Sequence, residues 1–543
     1  MKAIKPITIL LFTCFGASGI FSQTNSVLNY LPSDARMIIK INPVSLRQKI
    51  KWDDLLKYKM FEDLVKKTPR EGKDFLNNPE HTGIDLNQGL FLAVPENKSN
   101  EKPSPVFYGS LSNPSDFAAM VKQLNPEIKP IKILNGNLLI DKNTAFAWNH
   151  EIFIITGSDL KEDTANQDLT AKASAELMKT KQLTEKCKLL LSKRSVAFGN
   201  EQFLSLIKED GDLLLWIDNA LTSQPNKNSK VPEAFGMLNK SFMPKGNFSS
   251  GVINFENGKV VARMKQYIPG SLDSLYKKYP VKNINTELVK KLPAGHPIFL
   301  CSFRFSPEMI KENLVRSGAD KLLDSMSKQK VKIEDILPAI KGDVLLAVLK
   351  ADEVAEEDSV TRGMNGIEFF VTGSINDKEK FNSLSALLQN KKQDSTKMKP
   401  AKKMKPLVLS NGSVFVVSLS QMAAQNFLAS AGNNEEMGKM IDPYKNNPSA
   451  CIIDLKTVFG FAAQSMLKNK TEEEVKQASE VLGMFDKLVS YGGQHDDKSM
   501  SSTVELTLTN KDENSLKQFM NLLNLIYSLK PKKSMAYNDV PIQ

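Results

Sequence analysis

The residues best suited to chemistry lie near the end of the chain, in Tyr491-Gly492-Gly493-Gln494-His495-Asp496-Asp497. A glycine pair lets backbone approach a ligand closely, an imidazole titrates near neutrality, and two carboxylates supply hard oxygen donors. Such a set has the means to hold a metal ion or move a proton. It also fits a strand running into a polar turn, and that is the expectation here, because the matching place earlier in the chain is the turn Glu256-Asn257-Gly258.

Elsewhere the chemistry is sparse. The four histidines, His81, His150, His296 and His495, form no H-E-x-x-H pair and flank no C-x-x-C. There is no G-x-S-x-G elbow, Walker loop, dinucleotide fingerprint or EF-hand loop. S-x-x-K recurs at Ser158–Lys161, Ser205–Lys208, Ser274–Lys277, Ser325–Lys328 and Ser465–Lys468, as chance allows in a chain rich in both residues. No K-T-G accompanies it, which argues against a penicillin-binding enzyme. The sequence therefore predicts no catalytic residue, no metal site and no cofactor.

One stretch carries a strong field. Lys391, Lys392, Lys397, Lys399, Lys402, Lys403 and Lys405 are opposed only by Asp394, and an acidic stretch, Asp352, Glu353, Glu356, Glu357 and Asp358, precedes them. The lysines are a candidate anion-binding loop for lipid headgroups or acidic glycan. The other reading is a pair of solvated loop expansions, since Asn125–Lys132 and Glu96–Pro103 are plain connectors at the matching places. No recognition motif interleaves aromatics with the lysines, so nucleic acid is not expected as a partner. Cys187, Cys301 and Cys451 are far apart in sequence, and the last two sit in apolar strand-like runs. They are expected to be buried small apolar residues without redox or metal roles.

The elements that must position these residues come in two sets. Leu31-Pro32-Ser33-Asp34 precedes the apolar run Met37–Ile41, and Leu292-Pro293-Ala294-Gly295 precedes Ile298–Phe303. Gly89-Leu90-Phe91-Leu92 then matches Gly342-Asp343-Val344-Leu345, and Gly109-Ser110-Leu111-Ser112-Asn113 matches Gly373-Ser374-Ile375-Asn376-Asp377. Correspondences in one order indicate an internal repeat. Each half reads strand, helix, strand, strand, helix, strand. The first helix is marked by Leu56, Met60, Phe61, Leu64 and Val65 in one half. In the other it is marked by Met309, Ile310 and Leu314, leading to Leu322, Leu323 and Met326. The expected fold is α+β, a tandem duplication in which each half is a βαββαβ ferredoxin-like unit with an antiparallel sheet plus a smaller strand, helix and hairpin unit. The smaller units hold strands Asp212–Asp218 and Ala450–Asp454, where Asp218 and Asp454 suit a helix cap or turn. The expected division is 1–22 a signal peptide, 23–280 and 281–529 the two halves, and 530–543 a polar tail.

Lys2 and Lys5 precede the uncharged stretch Ile7–Ile20, which has the length of a signal-peptide core and is too short to span a bilayer. Cleavage is expected after Ser22. Cys14 preceded by Leu11-Phe12-Thr13 is a loose lipid-attachment alternative. No later segment is apolar enough to cross a membrane. The net charge of +11 over 543 residues, with 41% hydrophobic and 24% charged residues, is that of a globular chain.

The Leu-Pro-x-Asp/Gly opening, the export signal and the twofold α+β pattern resemble a family of exported Gram-negative envelope proteins known only as a domain of unknown function. The resemblance implies the envelope and a fold class, and no activity. The expectation is thus a non-catalytic exported binding or scaffold module, in the periplasm or on the outer membrane in preference to the extracellular space, whose partner is an envelope protein, glycan or anionic surface. The alternative is an envelope hydrolase with a site assembled between the halves.

Overall fold

The computed structural model describes residues 26–68, 73–96, 104–124, 126–158, 169–193, 200–219, 246–318, 320, 337–350, 367–389, 406–466 and 471–528. The expected signal peptide, the lysine loop 391–405, the acidic stretch 352–358 and the tail 530–543 lie outside these residues. The fold is mixed α+β, with its strands paired antiparallel. Contacts divide the chain into two units, one of residues 1–214, 255–257 and 512–543, the other of residues 215–254 and 258–511.

The first unit is a ladder of β1 (Ala35–Ile41), β2 (Leu90–Pro95), β3 (Val106–Ser110), β4 (Ile131–Ile133), β5 (Gly136–Asp141), β6 (Thr144–Trp148) and β7 (Ile152–Gly157). Its order is β1-β2-β3-β7-β6-β5-β4. The helix Pro114–Leu124 lies against it. Phe117 stacks on Phe153 at 4.9 Å and meets Trp148 edge-on at 5.8 Å, so one helical residue closes an aromatic core. The helical run expected around Leu56–Val65 is two helices, Trp52–Leu56 and Lys59–Lys67. The terminal helix Ser515–Ser528 packs here too, burying Met520 with Trp52, Leu55 and Phe61. Tyr58 Oη donates to Asn521 at 2.7 Å, and Tyr527 Oη to Asp63 at 3.2 Å. The fully buried carboxylate of Asp212 takes hydrogen bonds from Ser45 Oγ at 2.5 Å, the Phe255 N–H at 2.6 Å and the Lys49 ammonium. Paired and multiply bonded, it meets the condition under which a buried charge is tolerated.

β8 (Leu213–Asp218) leads into the second unit, where β9 (Phe248–Glu256) and β10 (Lys259–Tyr267) form the expected hairpin. Gly258 sits at its turn with φ +63°, and a Cβ there would lie 2.5 Å from the backbone of Lys511. The rest of the sheet is β11 (His296–Arg304), β12 (Ile340–Lys350), β13 (Ile367–Ile375), β14 (Leu407–Ser410), β15 (Val414–Ser418), β16 (Ser449–Asp454), β17 (Phe485–Asp496) and β18 (Ser499–Leu508). Its order runs β10-β18-β17-β16-β11-β12-β13-β15-β14. The helix Gly270–Lys278 packs on the helix Pro307–Ser317 through Leu272, Leu275 and Met309.

In chain order β2, β3, the helix Pro114–Leu124 and β4 follow β1 and its helices, and β12, β13, the helix Lys378–Gln389 and β14 follow β11 and the helix Pro307–Ser317. The pairing differs from a ferredoxin-like unit, which splits each βαβ pair with an inserted strand. Here β1 pairs directly with β2 and β11 with β12, both antiparallel, so the intervening helices return the chain to the neighbouring position.

The cysteine expectation is corrected. Cys301 on β11 and Cys451 on β16 stand opposite each other in the ladder and form a disulfide. Their separation of 150 residues conceals that their strands are neighbours. Cys187 is free and fully buried, and burial pushes its thiol up to about 12.

Candidate functional site

β17 and β18 carry the sequence cluster to the end of a long hairpin. Gly492 and Gly493 form a β-bulge with φ of +137° and +92°. A Cβ on Gly492 would lie 2.4 Å from Ser501 O, which requires glycine at this point. Asp497 and Lys498 make the turn with positive φ, and Asp496 and Asp497 are exposed. Beyond the bulge the cluster separates. Tyr491 Oη donates to Glu505 at 3.1 Å, and its ring meets Tyr444 at 5.0 Å. His495 turns to the helix Gly270–Lys278, where its Nε2 is 3.0 Å from Asp273 Oδ1 and its ring stacks on Tyr276 at 5.3 Å. The Lys277 ammonium donates to Asp273 at 2.8 Å. That bond is the largest cause holding the Asp273 carboxyl below its usual range, against the opposing effect of burial. Asp273 thus anchors a helix to a hairpin, and the four cluster residues do not converge on one point. Among the described residues, no group of three or more His, Cys, Asp or Glu is placed to hold a metal ion.

A groove of about 390 Å³ opens elsewhere in this unit. Its apolar wall is Pro297, Met440, Tyr444, Ile452 and Val489, and its rim carries His296, Asp454, Lys456, Asp486 and Lys487. The ladder explains the arrangement. Ile452 opposes Val489 and Asp454 opposes Lys487 across β16 and β17, so each apolar pair has a polar pair two residues further along the same face. Tyr444 comes from the chain just after the helix Glu435–Ile441, which Asn434 caps through the Met437 N–H at 3.1 Å.

The rim is built around Asp454. Its side chain accepts from the Thr457 N–H at 3.0 Å and from Thr457 Oγ1 at 2.7 Å, capping the helix Leu455–Met466 as its position suggests. His296 Nε2 lies 2.5 Å from Oδ2, the oxygen that also takes the Thr457 hydroxyl. Burial pushes the Asp454 carboxyl up, yet the His296 and Thr457 bonds together hold it below its usual value. Asp486 is engaged by Lys511 at 2.6 Å. Sequence reasoning identified Asp454 as a cap but did not connect it to His296, 158 residues away. Asp454-Leu455-Lys456-Thr457 carries a local signal for the cap and none for the pair.

Residues 27–516 match the family model DUF4836, a domain of unknown function. No curated protein matches the chain. Among solved structures, it is similar to crystal form I of TP0453, with 10% identity, 46% of this chain and 80% of that one covered, and a TM-score of 0.23. It is also similar to crystal form IV, with 8% identity, coverage of 47% and 85%, and a TM-score of 0.24. Scores of this size carry no argument about fold or function. No helix among the described residues is long and apolar enough to cross a membrane.

Proposed function

The chain belongs to the DUF4836 family, and we propose that it is an exported, non-catalytic binding or scaffold module for another component of the cell envelope. The observation that carries this reading is the groove beside β16 and β17. It has an apolar wall, and its central rim carboxylate is spent on a helix cap and a histidine. A concave apolar surface with a few fixed polar groups is the usual form of a ligand site. The groove takes the apolar part of its partner, with Lys456 and Lys487 at the rim for an anionic part.

Export is supported by the basic and apolar start of the chain and by the Cys301–Cys451 disulfide, since such bonds persist in oxidising compartments. Internal duplication is supported by the ladder orders β1-β2-β3-β7 and β11-β12-β13-β15. Each third strand is followed by a helix, Pro114–Leu124 in one case and Lys378–Gln389 in the other.

The test is titration of the folded chain with the apolar fluorophore 1-anilinonaphthalene-8-sulfonate. We expect saturable enhancement, with affinity lower by about tenfold in Met440→Asp, whose folding is checked by circular dichroism. Equal binding by both proteins removes the groove as the site. Glycan or peptide hydrolysis that disappears in His296→Gln would replace the module with a hydrolase. Mass spectrometry of the mature protein reads export directly, as a chain beginning at Gln23 or a lipidated one beginning at Cys14.

A further inference from the structure

A second cavity in the same unit, about 310 Å³, has a different character. Arg304, Lys282 and Lys341 enter its wall from three separate segments. Arg304 is the last residue of β11, and its Nη1 donates to Asn283 O at 3.1 Å, which fixes the guanidinium on the backbone of the segment carrying Lys282. Lys341 is brought alongside by β12. There the Phe305 N–H donates to Gly342 O at 3.0 Å, and Gly342, at φ +85°, leaves no room for a Cβ against Phe305 O.

Two carboxylates lie nearby, one buried in the fold and one in the wall. Asp343, opposite Arg304 in the ladder, is buried and accepts from Asn285 Nδ2 and Ser374 Oγ, each at 2.6 Å. Glu308, in the cavity wall, accepts from Ser306 Oγ at 2.9 Å. None of the three cations forms an ion pair with a described residue, so the wall carries three positive charges against one negative. The first turn of the helix Pro307–Ser317 also borders the cavity and adds the positive end of its dipole.

We propose that this cavity binds the phosphate group of a phosphorylated ligand, with Arg304 as the forked anchor and Lys341 and Lys282 as point charges. At roughly 30 Å³ per water, its volume is about ten waters, which leaves space for a group attached to the phosphate. The source is either a soluble phosphate ester or a lipid headgroup, and the experiment separates the two.

The intact, disulfide-bonded chain is titrated with glycerol 3-phosphate by calorimetry and sedimented with phosphatidylglycerol or phosphatidylcholine vesicles. Expected is saturable binding that weakens at least tenfold in Arg304→Gln and at least threefold in Lys341→Gln, and is unchanged in Lys439→Gln. Lys341 is exposed and unpaired, so its loss leaves the fold intact. Binding of glycerol 3-phosphate alone assigns a soluble ester. Sedimentation with phosphatidylglycerol that is lost in both cavity variants assigns a headgroup. Absence of both forms of binding, or binding that Arg304→Gln and Lys341→Gln leave unchanged, overturns the proposal.

Discussion

The two units solve one architectural problem with different materials. Both build an antiparallel ladder in which some sequence neighbours pair directly, β1 with β2 and β11 with β12, and some distant strands pair as well, β3 with β7 and β11 with β16. The first fills its centre with rings, Phe107, Phe117, Trp148 and Phe153. The second uses mainly aliphatic groups around Leu345, Leu349, Val416 and Ile452, with Phe370 and Phe427. The first pairs the buried Asp212 with a partly exposed Lys49, whereas the second buries Asp343 among neutral donors and joins β11 to β16 covalently. Antiparallel pairing therefore leaves the means of stabilisation free to differ, and the groove and the cationic cavity both belong to the covalently joined unit.

The largest expected effect sharpens that contrast. Cys451→Ser opens a loop of about 150 residues and should cost about 4–5 kcal/mol by loop entropy. Denaturant unfolding followed by hydrogen exchange should place the loss in the second unit; equal loss in both would erase the distinction. Asp212→Ala removes the acceptor of the Lys49 ammonium, the Ser45 hydroxyl and the Phe255 N–H and should cost about 3 kcal/mol, read in the first unit. Asp343→Ala should cost less, about 1–3 kcal/mol, because only neutral donors lose a partner. A reversed ranking would break the comparison. Leu275→Ala, at the contact of Gly270–Lys278 with Pro307–Ser317, should cost about 2–4 kcal/mol and leave the first unit's melting unchanged.

The smallest effect is a pH dependence. The Glu312 carboxyl is held down to about 2, first by Lys278, then by Tyr279 and Arg316. A depressed carboxyl stabilises the folded state above its unfolded value near 4.5 and loses that contribution as pH falls toward 2. Thermal melts of wild type and Glu312→Gln should differ at pH 7 and converge toward pH 2. A gap that persists at pH 2 would assign the effect to packing.

Much of the ladder was legible because strands announce themselves locally. Val504, Leu506 and Leu508 alternate with polar residues, and Asn257-Gly258 has the chemistry of a tight turn. What was hidden is what those strands meet. Periodicity assigns Cys301 to an apolar run but carries no information about the residue across the ladder. It likewise gives Met520 an apolar helix face without saying that Phe61 will cover it. The candidate site was half legible for the same reason. The Asp454 cap is written within four residues, whereas its bond to His296 exists only once β11 and β16 lie side by side.

The seating of Ser515–Ser528 against Lys59–Lys67 has a consequence for how the molecule is made. Phe61 emerges from the ribosome more than four hundred residues before Met520 does. During synthesis the early segment must wait with an apolar face uncovered, and a stop codon ahead of Ser515 leaves that face bare in the finished product.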